Sequence, residues 1–227
     1  MNKLKILVVI LVATLVIETV GIVVLYNQIN THGNVVKELT YDHNVSYSVT
    51  YDEFNQPISN DTEYRLNMTY AGSWEMHIHS SLIPPASNAA KSEAQIALAP
   101  EYPSENLSIP TIIVQIRGDG LLRIEYFAQN WNNSYGLVLY NSTSPTWPGG
   151  QNITLQFLSF GPPVPVNPQV APRPNGNITI LIGNTIVLAD YPIAWAGLSS
   201  LYVYGLRGSA FTGGTVTITV ANVEVKS

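Results

Sequence analysis

Residues Asn177-Ile-Thr-Ile-Leu-Ile-Gly-Asn-Thr-Ile-Val-Leu-Ala189 decide the fold. Two runs of β-branched and aliphatic residues, 178–182 and 185–188, flank Gly183-Asn184. A two-residue connection of this kind between such runs reads as a tight β-hairpin. The same period-two alternation, punctuated by Gly, Asn, Pro and Ser, recurs at 46–51, 64–70, 74–82, 111–117, 121–127, 135–141, 153–160, 201–204 and 215–225. A second tight turn stands at Gly118-Asp119-Gly120. Only 86–99, rich in Ala and carrying Lys91 and Glu93, reads as a short helix. With no helical layer, the pattern predicts an all-β fold, a two-sheet antiparallel sandwich or jelly roll, over residues 34–227. Residues 161–176 hold six prolines and form a stiff extended excursion from it.

Ahead of the strands, residues 6–26 are apolar throughout except for Glu18 and follow Lys3 and Lys5. At about 1.5 Å per helical residue this run spans a hydrocarbon core of about 30 Å. Leu25-Tyr26-Asn27-Gln28 offers no small-residue cleavage site, so the run is expected to be a retained signal anchor, one N-terminal transmembrane helix. The two lysines put residues 1–5 in the cytoplasm. Residues 27–33 are then a short tether, and 34–227 an extracellular domain of a single-pass cell-membrane protein. Asn-x-Ser/Thr acceptors at Asn44, Asn60, Asn67, Asn106, Asn132, Asn141, Asn152 and Asn177 all follow the span, as glycosylation outside the cell requires. A carboxylate inside a membrane helix asks for a partner, and Glu18 with Thr14 four residues earlier supplies a face for helix association and an oligomer.

Composition removes several classes of function. Charged residues make up 11% of the chain, and the net charge of −5 comes with no basic patch, which excludes nucleic acid as a partner. The absence of cysteine rules out thiol catalysis, disulfide frameworks and zinc-thiolate sites. No cofactor motif is present, nor a Ser-His-Asp grouping or a phosphate-cradling glycine loop.

From about Thr111 onward, a series of strand signatures runs Gly120-Leu-Leu-Arg-Ile-Glu-Tyr-Phe, Tyr135-Gly-Leu-Val-Leu-Tyr-Asn, the 177–189 hairpin, Leu201-Tyr-Val-Tyr-Gly, Phe211-Thr-Gly-Gly and Val220-Ala-Asn-Val-Glu-Val. This second half resembles the laminin-G-like branch of the concanavalin A-like lectin/glucanase fold. The resemblance implies a jelly roll and a function among sugar-binding lectins, adhesion modules and glycosidases; fold alone does not choose among them.

Glycosidases of this architecture work with two nearby carboxylates. The Glu-x-Asp-x-x-Glu signature is absent, and Glu75 with Glu125 is the best remaining pair. In Trp74-Glu-Met-His-Ile-His, alternation puts Glu75, His77 and His79 on one face, a set with the spacing to chelate a metal, although a solvated strand face explains them better. Asp119 is one carboxylate, too few for calcium, and suits its turn. For carbohydrate, Trp131 with Asn132, Tyr135, Trp147 and Trp195 offers rings for stacking and amides for hydroxyls. The sequence thus leads to a membrane-anchored glycoprotein, not an enzyme, acting in recognition, adhesion or cell-surface structure with glycans or surface proteins as partners. The alternatives are an archaeal-type pilin-like filament subunit, which lacks its usual processing site here, and a glycoside hydrolase.

Overall fold

The computed structural model describes residues 38–57, 60–87, 89–100, 110–127, 136–146, 152–165, 173–205 and 210–226. Contacts divide the chain into two units, and residues 41–224 form the larger one. The expected transmembrane segment 6–26, Glu18 within it, residues 1–5 and the tether 27–33 lie outside the described residues. Among the described residues no helix is long and apolar enough to cross a membrane.

Two six-stranded sheets account for the larger unit. Sheet A consists, from edge to edge, of β1 (Glu38–Thr50), β12 (Thr215–Lys226), β3 (Trp74–Ser80), β8 (Asn152–Ser159), β9 (Gly176–Ile182) and β10 (Thr185–Ile193). Sheet B consists of β2 (Thr62–Tyr70), β11 (Leu198–Gly205), β4 (Glu93–Ala99), β5 (Thr111–Arg117), β6 (Leu122–Phe127) and β7 (Leu137–Asn141). One turn of helix, α1 (Tyr51–Phe54), follows β1. The architecture is the expected antiparallel sandwich. The 178–188 hairpin forms as read, with Thr185 opposite Ile182 and Gly183 at φ +58°, a conformation open to glycine without steric cost.

The expected helix over 86–99 is corrected. Only a 3₁₀ turn at Ala89–Lys91 forms there, and Glu93–Ala99 is β4, in the middle of sheet B. Its burial explains the misreading. Every residue of β4 after Glu93 is buried, so no polar face alternates with the apolar one. Ala94, Ile96 and Leu98 enter the core, while Ala97 and Ala99 pack on the other side with Tyr202, Tyr204 and Ile113.

The core lies between the sheets. Period-two alternation delivers Trp74, Met76 and Ile78 from β3, Ile153, Leu155 and Phe157 from β8, and Ile112, Val114 and Ile116 from β5, all essentially inaccessible to solvent. Three rings anchor it: Trp74 stacks on Phe157 with centroids 6.0 Å apart, and Trp195 meets both at 5.6 and 6.2 Å. Gly176 on β9 leaves room for them, because a β-carbon there would lie 2.2 Å from Phe157 Cζ. The described ends of the proline-rich excursion are tied to this cluster through buried Asn175. Its carboxamide accepts from Trp195 N (2.7 Å) and donates to the carbonyls of Trp195 (2.9 Å) and Pro162 (2.8 Å).

Candidate functional site

Alternation that fills the core also fixes what each sheet presents outward. On sheet A the outward residues of β3 are Glu75, His77 and His79, opposite Gln156, Thr154 and Asn152 of β8. Glu75 is only 7% exposed and is enclosed by donors. Gln156 Nε2 donates to its Oε2 at 2.6 Å, Tyr41 Oη to the same oxygen at 3.3 Å, and His77 Nε2 lies 2.8 Å from Oε1. Burial first, then the Glu75 charge and hydrogen bond, push the Tyr41 phenol up. His77 Nδ1 meets Thr154 Oγ1 at 3.1 Å, and His79 Nδ1 meets Asn152 Oδ1 at 2.9 Å. The ring nitrogens of the His-x-His pair are thus turned to separate neighbours. Among the described residues no group of three His, Cys, Asp or Glu is arranged to hold a metal ion.

Sheet B is different in kind. Its outward residues form rows across the strands: Glu63, Tyr202, Ala97, Ile113 and Glu125 in one, and Tyr204, Gln95, Gln115 and Arg123 in the next. An outward sheet face is ordinarily solvated, yet Tyr202, Ala97, Gln95, Ser200 and Glu125 are all buried here. Polar groups on this face are consequently bonded to one another. Arg123 Nη2 donates to Glu125 Oε1, and Gln115 Nε2 to its Oε2 at 3.2 Å.

At the β2–β11 side this face opens into a cleft of about 360 Å³. Glu63, Arg65, Ser200 and Tyr202 supply its polar lining with Ser199, and Leu66 and Pro100 its apolar lining. The Glu63 carboxylate is held through one oxygen. Oε1 accepts from Ser200 Oγ at 3.1 Å and from Tyr202 Oη at 3.2 Å, and forms an ion pair with Arg65 Nε at 3.2 Å. Partial burial works to raise the Glu63 pKa, but the bonds from Ser200, Arg65 and Tyr202, with the Arg65 charge, outweigh it and hold it below its usual value. Burial, offset in part by a bond with Ser200 and reinforced by the Glu63 carboxylate, pushes the Tyr202 phenol up to about 12.

These positions settle several sequence candidates. Glu75 and Glu125 lie on the outward faces of opposite sheets, and sheets pack about 10 Å apart, so they do not form a catalytic pair. Glu63 and Glu125 share a face but are four strand spacings apart, about 19 Å, far beyond the roughly 5–9.5 Å of paired glycosidase acids. Asp119 spends its carboxylate in its own turn, on Arg117 Nη2 (2.6 Å) and Leu121 N (3.3 Å). Trp195 is corrected: fully buried in the core cluster, it has no ring face to offer a sugar. Trp131, Asn132, Tyr135 and Trp147 lie outside the described residues. Of the glycan acceptors, Asn44, Asn60, Asn141 and Asn152 are exposed and Asn177 is half-buried. The side chain of Asn67, and Asn106 and Asn132, fall outside the description. The cleft was missed because its residues are ordinary in sequence; only the strand order β2–β11–β4 brings Glu63 and Arg65 to Ser200 and Tyr202.

No family model matches the chain, and no curated protein matches its sequence. Solved structures do. A double-substituted form of the alginate lyase Aly36B, in complex with alginate tetrasaccharide, matches with a TM-score of 0.53 at 10% identity, over 80% of this chain and 82% of that one. The Chlorella virus alginate lyase vAL-1 follows at 0.48, 7% identity and 84% and 89% coverage. A β-1,3-1,4-glucanase (lichenase) derived from a mouse hindgut metagenome matches at 0.38, 14% identity and 79% and 78% coverage. The likeness is one of fold, the two-sheet β-sandwich. It extends over most of the chain, where the sequence resemblance had been confined to the second half. The expectation of a non-enzyme is corrected by the same finding. It rested on missing paired acids, a criterion that reaches glycoside hydrolases alone, whereas alginate lyases are carbohydrate-processing enzymes on this fold.

Proposed function

We propose that this protein is a carbohydrate-processing enzyme of the cell surface, and that it engages its glycan on the outward face of sheet B, in the cleft between β2 and β11. The observation that carries this reading is a sheet face built against the usual rule. Buried Tyr202 and Ser200 point away from the core there, beside the Glu63 carboxylate and Arg65, around a cleft that offers both charged hydrogen-bonding groups and apolar walls. Such a mixture is what small-molecule sites present, and about 360 Å³ lies within their range of roughly 300–1,000 Å³. The shared fold of the alginate-bound lyase supports carbohydrate as the ligand class. Glu63, Glu75 and Glu125 are too far apart to serve one another as a paired-acid couple.

Placement at the membrane rests on the sequence: the apolar run 6–26, Lys3 and Lys5 before it, and eight glycan acceptors after it. Asn44, Asn152 and Asn177 belong to sheet A strands, so glycans there leave the sheet B cleft free. The test is to incubate the full chain in mild detergent with neutral and acidic oligosaccharides, reading binding calorimetrically and products by chromatography with mass detection. A sugar that binds and is shortened, both lost in Tyr202→Ala, is expected; no binding to any carbohydrate refutes the reading. Alkaline carbonate extraction of native membranes tests the anchor: the protein should stay in the pellet.

A further inference from the structure

We infer that the β2–β11 cleft is selective for a neutral sugar unit, gripped through a pair of adjacent hydroxyls. The inference rests on the reading of the cleft as a carbohydrate site and specifies what that site takes.

The argument turns on which atoms of Glu63 and Arg65 are already spent. Among the described residues, two hydroxyls donate to Glu63 Oε1, Arg65 Nε pairs with that same oxygen, and no donor bonds Oε2. Arg65 faces that oxygen through Nε, its two terminal nitrogens make no hydrogen bond among the described residues, and its side chain is 82% exposed. Two residues apart on β2, the two side chains project on the same side of the strand. The cleft therefore presents one free charged acceptor beside one free charged donor. Ser200 and Tyr202 hold the acceptor in place, and the Arg65–Glu63 ion pair orients the donor.

A ligand that satisfies both must donate and accept from neighbouring atoms. A vicinal diol does so: one hydroxyl donates to Glu63 Oε2 and the next accepts from an Arg65 Nη. Both are charge-assisted bonds, roughly twice as strong as neutral ones. A sugar carboxylate gains Arg65 but meets the Glu63 charge, since a like charge at such range is unfavourable. A cationic sugar meets Arg65 in the same way. Leu66 and Pro100 supply the apolar surface on which the C–H face of a pyranose packs. A cleft near the lower end of the usual size range fits one sugar unit of a longer chain.

The experiment is calorimetry on the full chain in detergent with β-glucan, mannan and galactan tetrasaccharides and an alginate tetrasaccharide. At least one neutral ligand should bind ten-fold or more tighter than the alginate. Glu63→Gln and Arg65→Gln, each checked for folding by circular dichroism, should both weaken that binding by ten-fold or more. Arg65 is mostly exposed, so its variant keeps the test open if Glu63→Gln folds poorly. Tighter alginate binding that Glu63→Gln strengthens and Arg65→Gln abolishes overturns the neutral selectivity while leaving a carbohydrate site in place. Binding to no sugar overturns both readings.

Discussion

Truncating Trp195 to Ala separates a core ring from a ligand platform. The indole is fully buried and meets Trp74 at 5.6 Å and Phe157 at 6.2 Å. A buried aromatic of this size removes about 150–250 Å² from water, worth about 4–6 kcal/mol at ~25 cal/mol per Å². Each aromatic contact adds about 0.5–1.5 kcal/mol. Partial collapse of the cavity returns some of this, and measured Trp→Ala losses in cores are about 3–5 kcal/mol. For a domain of this size, 1 kcal/mol moves Tm by about 2–4 °C, so a fall of about 6–20 °C is expected. Trp195→Phe keeps a ring and removes the indole N–H, which is buried with no partner among the described residues, so it should cost clearly less. Thermal and urea unfolding followed by far-ultraviolet circular dichroism measure both. A Trp195→Ala protein within about 0.5 kcal/mol of the parent, as surface changes are, would refute the placement of this ring.

Other expectations follow from the same packing. Gly176→Ala forces a β-carbon against the Phe157 ring and should destabilise by about 1–3 kcal/mol or more, read as a lower urea midpoint at unchanged slope. Asn175→Leu removes the partners of the Trp195 amide and the Pro162 carbonyl and leaves the Trp195 carbonyl with Val164 N alone, and should cost about 2 kcal/mol or more in the same assay. The raised Tyr202 phenol stabilises the fold fully below about pH 10, and that contribution is lost as pH rises towards about 12. Tyr202→Phe should therefore flatten the alkaline limb of the stability profile between these values, and an unchanged limb would contradict the burial of the phenol. The lowered Glu63 carboxyl acts with the opposite sign: its contribution is present above its ordinary pKa and lost on acidification, so Glu63→Gln should flatten the acid limb.

Most strands were legible because one face of each is apolar and the other polar. β4 was not, because burial on both sides erased the alternation, and its alanines, small enough to sit beside Tyr202 and Tyr204, imitate a helix. Trp195 was misread for a related reason. An aromatic between short loops looks the same in sequence whether it caps a core or lines a groove; its neighbours Trp74 and Phe157 come from strands far away in the chain. The cleft could not have been read at all. Glu63 and Arg65 are a common strand pair until sheet order places them beside Ser200 and Tyr202, 135 or more residues later.

Hydrogen–deuterium exchange of the full chain with and without a bound oligosaccharide tests the central claim most directly. Ligand-dependent protection confined to peptides covering residues 62–70 and 198–205 is the predicted result, because these strands form the cleft. Protection instead over β3 and β8, at the Glu75–His77 face of sheet A, would contradict it.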